Sequence, residues 1–366
     1  MPALVLNTCG TSLLTGGKIS DELRTELRQY ANAATWDDMP ADVAHRIKQH
    51  AKTKEAELLG ADETTVRRLS AELNGLLSWQ AGHTPNPQDT YLLLATDTAL
   101  GQKTAYSIKT WLESKGHTAQ IISADGLRTS SLNGFREALS GLVKELVETF
   151  EGYQASGVNI YFNLTGGFKG LNGFLQALST IYADQTFYLF EGSKELLFIP
   201  KLPFTLDAEK IIQANLATFR RLAQGLTVQA VDYKQIPDTL LFHVENEVML
   251  SEWGELLWLS AYKALYKKDI LPSISERVIY SENFEASTKG MPAHLLEIIN
   301  TRIAALAEYT ENDCKNALKS LDPKPLQEQR HKDAKRWECD LDPHHRIFMI
   351  KDGYTFTLEK VDKAFH

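Results

Sequence analysis

Short apolar runs recur at regular intervals through the first two hundred residues. Residues 3–6 (Ala-Leu-Val-Leu) read as a buried strand ending at Asn7, and comparable runs return at 91–95, 119–123, 158–163 and 186–191. Between them the spacing changes to that of a helix, around 104–115, 132–150 and 168–183. A long polar stretch from about 20 to 79 carries helical periodicity at Leu23, Leu27, Tyr30 and Ala34, and again at Val66, Leu69, Leu73 and Leu76. Strands that alternate with helices of this length predict βαβ units and a parallel sheet. Two prolines, Pro200 and Pro203, interrupt any further element and place a boundary near residue 205.

Residues 208–268 read as mostly helical. The clearest helix spans 251–267, and the proline-containing stretch 269–275 reads as a linker. A third region begins near Arg277. It predicts a strand at 278–280, helices at 294–306 and 313–321, a polar basic stretch, and alternating runs at 337–341, 347–350 and 354–361. Asp352-Gly353 between the last two runs is a strong hairpin signal. The expected architecture is a Rossmann-like α/β domain over 1–205, a helical or winged-helix-like connector over 206–275, and a small α+β domain over 276–366.

Charge changes this picture in one place. The 366 residues carry 39 Lys and Arg against 47 Asp and Glu, a net charge of −8, which excludes a chain that coats nucleic acid by charge alone. Residues 323–366 nevertheless hold nine cations against eight carboxylates and four of the ten histidines. A locally basic, histidine-rich end on an acidic chain points to a site that handles an anion. The apolar runs fall far short of the ~20 residues that span a bilayer. The first residues lack the layout of a signal peptide. Three cysteines without CxxC spacing give neither a disulfide framework nor a zinc site. A soluble, reduced, cytoplasmic protein without metal is the expectation.

Two loops carry candidate chemistry in the first domain. Gly10-Thr11-Ser12 follows the first strand, and Asn163-Leu164-Thr165-Gly166-Gly167-Phe168-Lys169 follows a later one and opens a helix. In a parallel sheet both lie at the carboxyl edge, where ligands collect at the switch of strand order. Gly166 and Gly167 allow backbone amides to approach a phosphate, the helix N-terminus and Lys169 add positive charge, and Thr11, Ser12 and Thr165 add hydroxyls. Thr96 lies in a third loop on the same edge. No GxxxxGK[ST] or GxGxxG is present, which excludes an ordinary P-loop and disfavours a dinucleotide cofactor.

The pair Gly10-Thr11-Ser12-Leu13-Leu14 and Asn163 to Lys169, with Phe190-Glu191-Gly192-Ser193 further on, resembles the signature of CARF domains, the CRISPR-associated Rossmann fold. The resemblance covers about residues 1–205. It implies a homodimer whose two copies form a pocket on their two-fold axis for a cyclic oligoadenylate activator. Cyclic tetra-adenylate is favoured over cyclic hexa-adenylate, and no other cofactor is implied. The resemblance leaves the role of the inserted stretch 20–79 unassigned. Slow cleavage of the ring in the same pocket is compatible with these residues but not demanded by them.

The second constellation comprises Arg330-His331-Lys332, Lys335-Arg336-Trp337, His344-His345-Arg346 and Lys363 to His366. Scission of RNA needs a group to take the 2′-OH proton, cations to stabilise the phosphorane, and an acid for the leaving oxygen; histidine, arginine and lysine supply these without metal. Trp337 or Phe365 could stack on a base. A three-stranded sheet is expected to bring the set onto one concave face. At most one of His344 and His345 belongs to such a site, because neighbours on a strand point to opposite faces.

The order β–α–α–β–β–β, with the aromatic-led strand at Trp337, Arg346 opening the next strand and a terminal His366, resembles the RelE toxin superfamily. The whole chain then resembles a CARF–RelE effector. The implied activity is metal-independent cleavage of mRNA on the ribosome, switched on by the cyclic ligand. Arg346 would stabilise the transition state, Lys332, Lys335 and Arg336 would bind phosphates, and His345 and His366 are candidates for proton transfer. The partners implied are the ribosome and its mRNA, with no membrane. The alternative is a ligand-responsive transcriptional regulator, against which the acidic balance and the lack of a basic recognition helix in 208–268 count. A HEPN nuclease needs Arg-x4–6-His, which neither Arg46–His50 nor Arg336–His344 provides.

Overall fold

A computed structural model describes the chain except for residues 85, 129–130, 168, 191–194, 202–207, 245–246, 316–320, 327–334 and 365–366, and gives Lys169 and Ala208 by their backbone alone. The chain divides into two compact units, Met1–Thr205 and Leu206–His366.

The first unit runs β1 (Ala3–Cys9), α1 (Ser12–Thr15), α2 (Asp21–Gln29), α3 (Ala41–Gly60), α4 (Glu63–Leu69), α5 (Ala71–Gln80), β2 (Thr90–Ala95), α6 (Ala99–Ser114) and β3 (Thr118–Ile122). It continues with α7 (Leu132–Ala155), β4 (Asn159–Asn163), α8 (Lys169–Tyr182), β5 (Gln185–Leu189) and β6 (Leu196–Ile199). The sheet order is β3-β2-β1-β4-β5-β6. The first five strands are parallel, and β6 runs antiparallel to β5. β1 is buried along its full length and β2 likewise, as central parallel strands covered on both faces must be.

Alternation of side chains divides the core in two. Val5, Tyr91, Leu93 and Phe187 face α4, α5 and α6, where Trp79 lies parallel to Phe187 at 5.9 Å. On the opposite face Phe162 packs against Phe150 of α7 at 5.2 Å, and Phe150 against Tyr182 of α8 at 5.8 Å. This is the doubly wound, Rossmann-like arrangement, with strand order reversing between β1 and β4. The stretch 20–79 forms four helices within the β1–β2 crossover. Its α2 and α3 build a satellite core with α1 and the start of α6, through Leu14, Leu27, Ile47 and Leu100.

The second unit begins with α9 (Ala208–Ala214), α10 (Leu216–Ala223), α11 (Ala230–Tyr233), a hairpin of β7 (Leu241–Val244) and β8 (Glu247–Leu250), and α12 (Glu252–Tyr266). The hairpin interrupts the mostly helical segment: Leu241 pairs with Leu250 and Phe242 with Met249 across it. Ser251 caps α12, its Oγ accepting from Gly254 N–H at 3.1 Å. Gly254 is needed there because a Cβ would overlap the carbonyl of Leu240.

The chain ends with β9 (Val278–Tyr280), α13 (Glu282–Thr288), α14 (Ala293–Glu311), β10 (Lys324–Pro325), β11 (Arg336–Asp340), β12 (His345–Asp352) and β13 (Thr355–Lys363). The sheet order is β10-β11-β12-β13-β9, antiparallel except where β13 meets β9. Two helices precede the long strands: α14 covers the helix expected over 294–306, and the other lies before it rather than after it. α13 was not expected, and the helix expected over 313–321 does not start there: Asp313 and Cys314 take left-handed φ values of 54° and 58°, which ends α14. Residues 316–320 lie outside the described residues. Asp352 pairs with Thr355, so Gly353 and Tyr354 form the turn. Gly353, at φ 60°, takes the first central position of a II′-type hairpin. Ile299, Ile303, Leu306, Ile347, Met349 and Phe356 form the core between α14 and the sheet.

Candidate functional site

The two glycine loops leave β1 and β4 on either side of the switch of strand order. The crevice between them is filled by a residue that the sequence did not mark. Glu72, in the first turn of α5, is 2% exposed. Its Oε1 accepts from Gly10 N–H at 2.8 Å, and its Oε2 accepts from the hydroxyls of Ser70 (2.7 Å) and Ser12. Ser12 Oγ in turn accepts from Ala71 N–H at 3.0 Å, capping the start of α5. A carboxylate thus takes the position that a bound anion would take at this amide and these hydroxyls.

The glycines follow from this packing. A Cβ on Gly166 would stand 2.5 Å from Glu72 Oε1, and one on Gly167 would stand 2.6 Å from Thr8 Cβ at a φ of 85°. The Gly-Gly pair therefore closes the loop tightly around Glu72 and Thr8. Asn163, 1% exposed, ties the two loops together by donating from Nδ2 to Asn7 Oδ1 and to the carbonyl of Glu72, each at 3.0 Å. Thr165 Oγ1 accepts from Leu189 N–H at 3.1 Å, joining the loop to the end of β5. Cys9 is buried, and burial, reinforced by the negative charge of Glu72, pushes its thiol well above the ordinary value, so it is no nucleophile.

Outside Glu72 the edge opens into a cleft of about 660 Å³. Ser12 and Thr165 form its floor, α2 and α4 contribute Arg24, Arg28, Arg67 and Arg68, and the end of β5 contributes Tyr188 and Phe190. These arginines, like Glu72, were missed at the level of sequence. They sit in helices whose charge pattern reads as an ordinary solvated face, and only the fold turns them to one place. Gly10 and Thr11 flank the floor without lining it. Lys169 starts α8, and its side chain lies outside the described residues. Thr96 does not join the cleft: its hydroxyl meets Thr98 Oγ1 at 3.1 Å and its carbonyl accepts from Gln102, closing the β2–α6 turn on itself.

In the second unit the expected residues gather at two ends of one ladder. Arg346 opposes Asp340, and Arg336 opposes Ile350, four residues further along and so about 13 Å away. Arg346 is fixed by Asp340 (Nε to Oδ1, 2.9 Å) and by Nη1 bonds to the carbonyls of Asp342 (2.7 Å) and His345 (2.9 Å), with 17% of its side chain exposed. Its Nη2 has no protein partner among the described residues. Next to it His345 Nδ1 lies 3.0 Å from both carboxylate oxygens of Asp342, so the ring is oriented by Asp342 and Nε2 is left open. At the far end Lys335 pairs with Asp352, and Arg336 is exposed.

The single concave face is therefore not formed by the described residues. The outer sheet face alternates Arg336, Glu338, Asp340 and Arg346, and is charge-balanced. Trp337 is not open for stacking: it packs edge-on to Phe356 at 5.9 Å, with Lys351 Nζ over its ring at 4.2 Å. Arg330, His331, Lys332, Phe365 and His366 lie outside the described residues. Among the described residues no cluster of His, Cys, Asp or Glu could hold a metal, and no helix is long and apolar enough to cross a membrane.

No curated protein matches the chain. Residues 67–202, from α4 to the end of the first unit, match the family model described as CRISPR-associated protein (Cas_APE2256). That match, well under half of the chain, supports a role in CRISPR-related defence.

Proposed function

We propose that the chain is a two-part defence effector in which the first unit binds a cyclic oligoadenylate and the second cuts mRNA on the ribosome. The observation that carries this reading is the edge between β1 and β4: glycine loops, hydroxyls and an arginine-walled cleft at a switch of strand order, in a unit whose residues 67–202 carry the CRISPR-associated match. A cyclic ligand with repeated phosphates suits a two-fold pair of such edges, so a homodimer through the first unit belongs to the proposal.

For the second unit the support is the corner where β12 begins. His345, oriented by Asp342, would take the 2′-OH proton at Nε2. That oxygen attacks the adjacent phosphorus, and Arg346 Nη2 stabilises the charge on the phosphorane, preorganised by Asp340 and two carbonyls. The 5′-oxygen leaves with a proton from an acid outside this pair, and a 2′,3′-cyclic phosphate results. The test adds cyclic tetra-adenylate or cyclic hexa-adenylate to the protein with translating ribosomes and maps mRNA ends. Codon-phased cuts are expected with ligand, falling at least a hundredfold for Arg346→Ala; equal cutting by that variant sinks the mechanism.

A second reading, a ligand-responsive transcriptional regulator, gains from the β7–β8 hairpin that follows three helices, as a wing would. The cations of α10 oppose it. Arg220 is 2% exposed and bound to the carbonyl of Pro272, while Arg221 is held by Glu311 at 2.9 Å, so neither is offered to DNA. A gel shift on promoter DNA that tightens with the cyclic ligand would favour this reading over the nuclease.

A further inference from the structure

The arginines of the cleft are not explained by the pairs that usually neutralise such groups. Arg67 is spoken for: Glu63 accepts from its Nε and Nη2 at 3.0 and 2.6 Å, and Ser78 accepts from its Nη1 at 2.7 Å. Among the described residues Arg24, Arg28 and Arg68 have no carboxylate within ion-pair distance, and the sole side-chain bond of the three there is Arg68 Nη2 to Thr65 Oγ1 at 3.2 Å. Arg24 and Arg28 stand one turn apart on α2, and Arg67 and Arg68 lie in the last turn of α4. The carboxylate nearest the floor, Glu72, is already committed to Gly10, Ser12 and Ser70. Like charges brought together repel, so three unpaired guanidinium groups around one cavity are a site with an unmet demand for anions.

The demand has a shape. Guanidinium forks match phosphate oxygens two at a time. The floor offers the hydroxyl of Thr165, and the rim carries Tyr188 and Phe190, edge to face at 5.1 Å, with Phe190 56% exposed. Cations for phosphates beside aromatic faces for bases is the chemistry that holds a single-stranded oligonucleotide.

We propose that the helices inserted between β1 and β2 form a phosphate clamp: Arg24, Arg28 and Arg68 take the phosphodiester groups of an oligonucleotide ligand, Arg67 holds the wall, and Tyr188 and Phe190 receive a base. This deepens the sensing role given above and rests on it for the cyclic form of the ligand; the clamp itself requires only phosphodiesters. It gives the insertion a task, which is to bring further positive charge to the switch-point edge.

The experiment is fluorescence anisotropy on the full chain with labelled cyclic tetra-adenylate and labelled linear tetra-adenylate. Wild type is compared with Arg24→Gln/Arg28→Gln, Arg68→Gln and the surface control Lys109→Gln, all checked for an unchanged melting temperature. Each lost arginine is expected to weaken the bound ligand about tenfold, and to make the dependence of log affinity on log salt shallower by about one, while the control binds as wild type does. Wild-type affinity in the arginine variants overturns the clamp and leaves the sensing role standing. Arginine-dependent binding of the linear form alone supports the clamp and removes the cyclic activator. Binding of neither form overturns both.

Discussion

The carboxylate of Glu72 accepts three hydrogen bonds in a place from which water is excluded, so its removal strands the N–H of Gly10 and the hydroxyls of Ser12 and Ser70. Each unpaired buried donor costs about 1–3 kcal/mol, and the hydroxyls can turn to other acceptors, so Glu72→Ala is expected to cost about 2–4 kcal/mol. Glu72→Gln keeps one acceptor oxygen but turns an NH2 group toward donors, and should fall between Ala and wild type. Urea unfolding reads both; a midpoint for Glu72→Ala within error of wild type would show that the carboxylate is not what closes the crevice. The residue was illegible in the sequence for a physical reason. A glutamate in a first helical turn is what the helix dipole prefers anywhere, and nothing local says that a strand sixty residues earlier will supply its partners. The glycines were legible as a site but not for their reason: Gly166 and Gly167 make room for Glu72 and Thr8, so their backbone lies under a carboxylate.

Elements were easier to read where periodicity and burial agree. β1 and β2 are short apolar runs because both faces of a central parallel strand are covered, and Gly353 marked the β12–β13 turn through its own backbone geometry. The β7–β8 hairpin escaped because Leu241 and Phe242 are both buried, which blurs alternation. α13 escaped because a helix of two turns shows few apolar repeats. The corner between β11 and β12 carries a prediction of its own. Burial raises the carboxyl of Asp342, but the His345 ring and the N–H groups of His344 and His345 outweigh it and hold the group below the ordinary value. A carboxylate with a depressed folded value contributes stability that is complete above the unfolded value near ~3.9 and is lost as pH falls through the folded one. Asp342→Asn should therefore be less stable than wild type at pH 7, with the gap closing below about pH 4. A gap that is constant from pH 7 to pH 3 would mean that the charge on Asp342 contributes nothing to this corner.

At the scale of the whole molecule, a net charge of −8 conceals where charge is used. The last 44 residues hold the sequence's local excess of cations, yet among the described ones Arg346, Lys324, Lys335 and Lys360 each meet an aspartate, while in the acidic first unit three arginines stand unpaired among the described residues. Anion recognition by the first unit then has a consequence for stability. Each unit has its own apolar core, so a ligand held by the arginine cleft should stabilise the first unit by mass action. At a hundredfold excess over its dissociation constant that gain is about 2.7 kcal/mol. In a unit of some two hundred residues it corresponds to about 5–10 °C in melting temperature. Calorimetry of the full chain with cyclic tetra-adenylate should therefore show one transition rising by that amount, with Arg24→Gln/Arg28→Gln abolishing most of the rise. A shift of every transition by the same amount would mean that both units unfold as one. A shift untouched by the arginine change would place the ligand elsewhere than the cleft.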